Sequence, residues 1–444
     1  MHCGRCVASM LLLVSHTEAL LTGIATPRRH GAVSVQANLL TKANLLFSDL
    51  VLKAQMQLDP ELELYSLPQR DLVRTDEDVK ILVENFPEKS RATFLDWYEG
   101  YKKQVMAPKP HGPGLSEAEV VTVFNRIMDR LILISKKKYT FESRHEAILA
   151  PYDYFEFGQE YVKPLVNFEA SYVRNMEYWE EASKSLKAGD NVVLFANHQT
   201  EADAAFLPLF FPDDPTLGRK VYYVAGGRVV GDPLAQPFSM GRNLFCVHSK
   251  KYIDIEEDKA QKSAMSKQNR KTLTEMSKAM KAGGVLIWIA PHGGRDRLKE
   301  TPTGDRPVPA DFEPEAIELF RSIASKANKP THFYPMAMAT YSIMPPPDGR
   351  NAALGEKRVT KFTGCAISLA PRVDMSEGAA WRPAKVEGAD AKAEARASQV
   401  ALCDHVFEQV CDEYELLEPV MADFRQEGYA PPNSVQPWGD RYRR

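Results

Sequence analysis

Hydrophobic positions fall into two regimes along the chain. Between about residue 43 and residue 150 they follow helical spacing. Val120, Phe124, Ile127, Met128, Leu131 and Ile134 recur at three- and four-residue intervals and predict one apolar stripe of an amphipathic helix. Ser116 and Glu119 precede the stripe with the spacing of a capping box. Lys136–Lys138 close it, where cations complement the helix dipole. The Pro- and Gly-rich stretch 107–114 separates this helix from helical sequence before it. Such a stripe reads as core, so a helical N-terminal domain is expected over 42–150.

From about residue 151 short continuous apolar runs take over. Asn191–Asn197, Val221–Ala225, Leu244–Val247, Val285–Ala290 and His332–Ala339 read as buried strands, with helical stretches between them. That alternation predicts an α/β domain over 151–438 with a mixed, largely covered sheet, followed by a short tail, 439–444. The last long helix, about Ala391–Leu417, places Val400, Cys403, Phe407, Val410, Cys411 and Tyr414 on one face, with the cysteines as packing residues.

Residues 1–41 differ from both regimes. Glu18 is their only acidic residue against Arg5, Arg28 and Arg29, and Val7–Val14 is apolar. This acid-poor character is that of a targeting segment. Over all 444 residues the net charge is −3, with 44% hydrophobic and 26% charged residues. The composition is globular and gives no global case for nucleic-acid binding. No apolar run approaches the roughly 18–20 residues that span a bilayer, so a soluble or peripheral protein is expected. The six cysteines form no disulfide framework, and Cys3 and Cys6 lack the second ligand pair of a zinc site. No metal or cofactor is expected.

Candidate chemistry gathers at the predicted strand ends. Asn197-His198-Gln199-Thr200-Glu201-Ala202-Asp203 follows a strand directly, placing His198 at the sheet edge where α/β proteins bind ligands. On a continuous helix positions 198 and 203 point about 140° apart. The pair can meet only if His198 lies before or at the cap and its ring folds back. Asp203 would then hold one ring nitrogen and leave the other as a general base. A second strand delivers Ala290-Pro291-His292-Gly293-Gly294-Arg295-Asp296-Arg297, whose two arginines suit bidentate phosphate or carboxylate recognition. His292 reads as a surface residue. A third ends in His248-Ser249-Lys250-Lys251-Tyr252, followed by a basic segment with Lys259, Lys262, Lys267, Arg270, Lys271, Lys278 and Lys281.

Each feature has a structural alternative: a capping histidine, a turn with solvated arginines, a solvated helix face. The chain has no G-x-S-x-G elbow, P-loop, G-x-G-x-x-G or H-E-x-x-H motif. The residues by themselves point to an enzyme that deprotonates a group on a phosphorylated or carboxylated small molecule.

The order of these blocks resembles the glycerolipid acyltransferases. FANHQTEAD, FSMGRNLFCVHSKK, LIWIAPHGGRDR, IMPPP, GEKRV and the closing Gln436-Pro437-Trp438 are similar to the soluble, stromal glycerol-3-phosphate acyltransferases of plastids. The resemblance implies a helical domain on a larger α/β domain. It implies transfer of a fatty acyl group from acyl carrier protein to the sn-1 hydroxyl of glycerol 3-phosphate in the plastid stroma. It further implies His198 as base, Asp203 as its orienting partner, and Lys251, Arg295 and Arg297 on the phosphate. Backbone N–H groups at the helix opening after His198 are the expected oxyanion donors. Tyr252 stands where the family has a histidine, which predicts weaker phosphate binding. The acidic carrier protein makes the basic segment a candidate docking face. Alternatives are an acyl-CoA-using or lysophosphatidate acyltransferase, or a catalytically silent lipid- or carrier-protein-binding module.

Overall fold

The computed structural model describes residues 30–109, 112–302, 304–347, 357–384, 390–417, 433–436 and 438. The chain divides into two compact units, 1–58 and 59–444. In the first, His30–Leu58 form one helix. The targeting segment expected over 1–41 lies, up to residue 29, outside the described residues.

In the second unit the capping box forms as the sequence requires. The Ser116 hydroxyl accepts from Glu119 N and the Glu119 carboxylate accepts from Ser116 N, opening the helix Glu117–Lys136. Its apolar stripe is buried except for the half-buried Leu131, with Phe124 ringed by Phe94, Trp97, Tyr98 and Tyr101 of the helix Glu88–Met106. Tyr161, on the helix Tyr154–Val162, ties this cluster to the rest of the unit. It accepts from Trp97 Nε1 at 2.6 Å, and its carbonyl accepts from the Tyr101 hydroxyl at 3.0 Å.

The architecture is α/β with a mixed sheet. Its strands are β1 (Arg144–His145), β2 (Tyr172–Arg174), β3 (Asn191–Ala196), β4 (Val221–Gly226), β5 (Asn243–Val247), β6 (Leu286–Ile289), β9 (Thr331–Ala339), β10 (Ala366–Leu369) and β11 (Ser434–Val435). The order is β1-β5-β4-β6-β3-β9-β10-β2-β11. The five inner strands β5, β4, β6, β3 and β9 run parallel to one another. β1 and β10 are antiparallel to their neighbours β5 and β9. A separate hairpin joins β7 (Arg297–Lys299) and β8 (Arg306–Val308).

The five inner strands coincide with the five apolar runs of the sequence. Five of the other described strands carry only two or three residues, too short to give a periodic signal. Val193, Phe195, Ile287, Ile289 and Phe333 share a core with Met276, Ile317, Phe320, Val406 and Val410 from three covering helices. These are Lys259–Ala282, Pro314–Ala324 and Ala391–Glu415. Leu194 and Trp288, which alternate to the opposite face, are buried as well. Burial on both faces is why these strands read as continuous apolar runs rather than as alternation. On the last helix Cys403, Val410 and Tyr414 face inward as expected. Leu402 and Val406 complete that face, while Val400, Phe407 and Cys411 are half-buried.

Candidate active site

The parallel inner strands bring three loops to one edge of the sheet. The central loop leaves β3 at Ala196 and enters the helix Asp203–Phe210. His198 precedes the cap, and its ring folds back onto the first helical residue. Nδ1 lies 2.8 Å from Asp203 Oδ2. The same oxygen accepts from Gln199 N at 2.8 Å and Thr200 N at 3.3 Å. Asp203 Oδ1 accepts from the Thr340 hydroxyl at 2.6 Å. A carboxylate can only accept, so Nδ1 carries the hydrogen and Nε2 becomes the basic nitrogen. The imidazole meets the Trp288 ring edge-on at 5.4 Å. Asp203 is buried and the His198 side chain keeps about a fifth of its surface open.

The Gln199 and Thr200 N–H groups, the first two after His198, are taken by Asp203. The turn uses them to hold the carboxylate that holds the histidine.

Side chains flanking the pair fix the turn in place, and sequence reading did not single them out. Asn197 grips β9 with both amide atoms: Oδ1 accepts from Met338 N at 2.7 Å and Nδ2 donates to Met338 O at 3.0 Å. Gln199 accepts from Thr340 N and Tyr341 N and donates to the Tyr414 hydroxyl at 2.6 Å. Glu201 receives a two-point contact from Arg358, Nε to Oε1 at 2.6 Å and Nη2 to Oε2 at 3.1 Å. Asp232 lies 3.6 Å from the same guanidinium. Polar residues at the end of a buried strand were the available signal for Asn197 and Gln199. Arg358 stands in the GEKRV block of the family resemblance, but nothing in its local sequence placed it against Glu201.

The second loop follows β6. Gly293 takes a φ of +68°, a left-handed conformation that glycine adopts without steric cost and that turns the chain after His292. The His292 side chain is buried, contrary to the surface position read from the sequence. Its ring stacks on Phe312 at 6.2 Å with 4° between the planes, and burial, aided by His198, pushes its pKa down to about 3. Asp296, also buried, has its carboxyl pushed up to about 7 by loss of solvation. Its neighbours Arg295 and Arg297 are half-buried. Arg295 lines a narrow cleft with Glu201, Met344, Pro345, Lys357 and Arg358. The loop touches the histidine turn directly, Asp296 N donating to His198 O at 2.6 Å.

The third loop follows β5. Lys251 sits in the first turn of the helix Lys250–Ile255, its side chain outside the described residues, and Tyr252 beside it is 45% exposed. They share the sheet edge with His198, but β4 and β6 stand between β5 and β3. The basic segment is the helix Lys259–Ala282, with Lys259, Lys267, Arg270, Lys271, Lys278 and Lys281 exposed. Asn269 fastens that helix to the end of β5 by bonds to both backbone groups of His248, each 2.8 Å.

The fold and the site together are those of an acyltransferase domain. The family model described as Acyltransferase matches residues 172–339, which include β3, the His198 turn and the arginine loop. Over a longer span the chain is 34% identical to the chloroplastic glycerol-3-phosphate acyltransferase of Arabidopsis thaliana, covering 79% of this chain and 74% of that protein. Two chloroplastic glycerol-3-phosphate acyltransferases of Cucurbita moschata are 34% and 38% identical, covering 82% and 71% of this chain and 78% and 69% of theirs. The chain belongs to the glycerol-3-phosphate acyltransferase family and is an acyltransferase enzyme. Among the described residues no helix is long and apolar enough to cross a membrane.

Proposed function

We propose that this enzyme transfers a fatty acyl group from acyl carrier protein to the sn-1 hydroxyl of glycerol 3-phosphate in the plastid stroma, giving 1-acylglycerol 3-phosphate. The observation that carries the reading is the His198–Asp203 couple at 2.8 Å with an arginine loop bonded to its backbone. The names of the relatives supply the acceptor substrate and the chloroplast.

Nε2 of His198 takes the proton of the sn-1 hydroxyl as its oxygen attacks the thioester carbonyl. Asp203 stabilises the imidazolium that forms. The tetrahedral intermediate collapses with cleavage of the carbon–sulfur bond. The departing thiolate recovers the proton from His198, so the enzyme ends in its starting state without an acyl-enzyme. Lys251, Tyr252, Arg295 and Arg297 hold the phosphate and set the sn-1 hydroxyl beside the base, a positioning effect that supplies several kcal/mol of the barrier. The basic helix Lys259–Ala282 gives the acidic carrier protein a complementary face next to the third loop. In this reading residues 1–41 direct the chain to the plastid, 42–150 are the helical domain and 151–438 the catalytic domain.

The test is acylation of labelled glycerol 3-phosphate by the purified protein, supplied in parallel with acyl carrier protein and coenzyme A thioesters, alongside His198→Ala. Formation of 1-acylglycerol 3-phosphate, faster with acyl carrier protein and lost in the variant, is the expected result. Equal rates with both donors would remove the carrier protein from the reading. No product with either would remove the reaction.

A further inference from the structure

We propose that Asp296 is a positioning residue for acyl transfer: it latches the arginine loop to the His198 turn and so sets the spacing between the base and the phosphate-binding arginines. This inference rests on the functional reading above and adds to it the element that joins its two halves.

The sheet stops short of the site. The ladder between β3 and β6 ends at the pair Phe195 and Ile289. Beyond it the two chains are loops, and His198 and Arg295 lie on opposite sides of the gap. Asp296 spans that gap with three bonds. Its N–H donates to His198 O at 2.6 Å, Oδ2 accepts from Asn197 Nδ2 at 2.8 Å, and Oδ1 accepts from Ala310 N at 3.1 Å. Asn197 grips Met338 of β9 with its remaining capacity. One side chain therefore connects the end of β3, the loop after β6, the segment leading from β8, and through Asn197 the neighbouring strand β9.

Chemistry favours a carboxylate here despite its cost. Asp296 is fully buried, and its oxygens face neutral donors, Asn197 Nδ2, Ala310 N and the Gln199 amide, with His292 Nε2 further off at 3.7 Å. Burial of such a group is unfavourable, and the raised pKa records it. What the carboxylate supplies is an acceptor on each oxygen, Oδ2 facing Asn197 Nδ2 and Oδ1 facing Ala310 N. Asparagine has the same shape but would turn an amide donor toward either Asn197 Nδ2 or Ala310 N. A shift of about 1 Å between base and bound substrate is enough to cost on the order of a hundredfold in rate.

The test compares wild type, Asp296→Asn and the double variant N197D/D296N, using labelled glycerol 3-phosphate and acyl carrier protein thioesters. Asp296→Asn is expected to lower kcat about 10- to 100-fold. The KM for glycerol 3-phosphate should rise several-fold, roughly 3- to 10-fold, on loss of one bond in the latch, and the KM for the acyl donor should not move. Its melting temperature at pH 8 should equal or exceed that of wild type, because a buried charge has been removed. The double variant restores an acceptor at 197 facing a donor at 296, at the loss of one bond to Met338 O. It should recover part of kcat over Asp296→Asn. Wild-type kinetics in Asp296→Asn would overturn the latch while leaving the functional reading intact. A fall in all parameters together with a lowered melting temperature and no recovery would show a merely structural residue and would overturn it too. A wild-type protein that neither binds nor acylates glycerol 3-phosphate would overturn both readings.

Discussion

His198 and Asp203, five positions apart in sequence, meet at 2.8 Å because the histidine lies before the helix and the aspartate opens it. A regular helix would hold them on different faces. The meeting depends on the turn between them, whose Gln199 and Thr200 N–H groups point at the aspartate instead of at solvent. The base is therefore oriented by a carboxylate that the backbone itself holds, with Thr340 of the neighbouring strand's end supplying the final bond.

Removal of the base should be far more costly than removal of its outermost support. His198→Ala is expected to lower kcat about 10²–10⁴-fold. Asp203→Asn, which leaves the carboxamide facing a donor, should cost about 10²-fold, and Thr340→Val no more than about 10-fold, the worth of one hydrogen bond. Steady-state kinetics on purified variants measures all three. A Thr340→Val effect equal to that of His198→Ala would mean the order of support is wrong.

The phosphate assignment separates KM from kcat. Arg295→Ala or Arg297→Ala should raise the KM for glycerol 3-phosphate about 10- to 100-fold, the range of a charged hydrogen bond. Tyr252→His restores a group that can carry a positive charge and should lower the apparent KM. An unchanged or higher value would exclude Tyr252 from the phosphate shell.

Arg358 is buried and held by Glu201 from within the histidine turn. Arg358→Ala strips that partner from a partly buried carboxylate and should destabilise the protein by roughly 3 kcal/mol. Arg358→Lys cannot reproduce the two-point contact and should recover only part of it. Urea unfolding of the three proteins is the measurement, and equal midpoints would show that the pair contributes nothing to the turn.

His292 and Asp296 give opposite pH dependences. Burial raises the Asp296 pKa to about 7, so between about pH 4 and 7 the folded protein holds a proton that the unfolded chain has released. That contribution is complete at low pH and is lost as pH rises through 7. Burial lowers the His292 pKa to about 3, so between about pH 3 and 6.5 the unfolded chain holds the extra proton. That contribution is present above 6.5 and is lost as pH falls through this window. Between about pH 4 and 6.5 the two slopes cancel. Asp296→Asn should then gain stability relative to wild type as pH rises across this range, by up to about 1.4 kcal/mol per unit, whereas His292→Leu should lose it. Unfolding free energies at pH 4.5 and 6.5 decide the matter. Variants that track wild type at both pH values would show that burial shifts the protonation of neither group.

The exposed cations of the helix Lys259–Ala282 should act through association rather than chemistry. K267E/R270E should raise the KM for acyl carrier protein thioesters several-fold at low salt, roughly threefold or more. The effect should shrink as ionic strength increases, with no change toward coenzyme A thioesters. Insensitivity to both charge and salt would remove this helix from the docking surface.

The amino-acid sequence alone specified the fold class and the five inner strands, because strands buried on both faces must be apolar throughout. It determined the helix Glu117–Lys136 and its cap, because local hydrogen bonds and a three-to-four-residue period are written in neighbouring residues. It also selected His198, Asp203, Arg295 and Arg297, since polar groups directly after buried strands stand out against their surroundings. What those residues touch was set by packing between segments distant in sequence. The backbone donors after His198 were committed to Asp203 by a turn whose geometry no spacing rule contains. His292 went inside because Phe312, brought by another segment, offered its ring a flat face to stack on. Asp296 turned inward between the two arginines, and Thr340, Tyr414 and Arg358 entered the site from the end of β9, the last helix and a distant loop. Contacts between segments far apart in sequence leave no periodic trace. They form only when the parallel strands align their ends at one edge of the sheet.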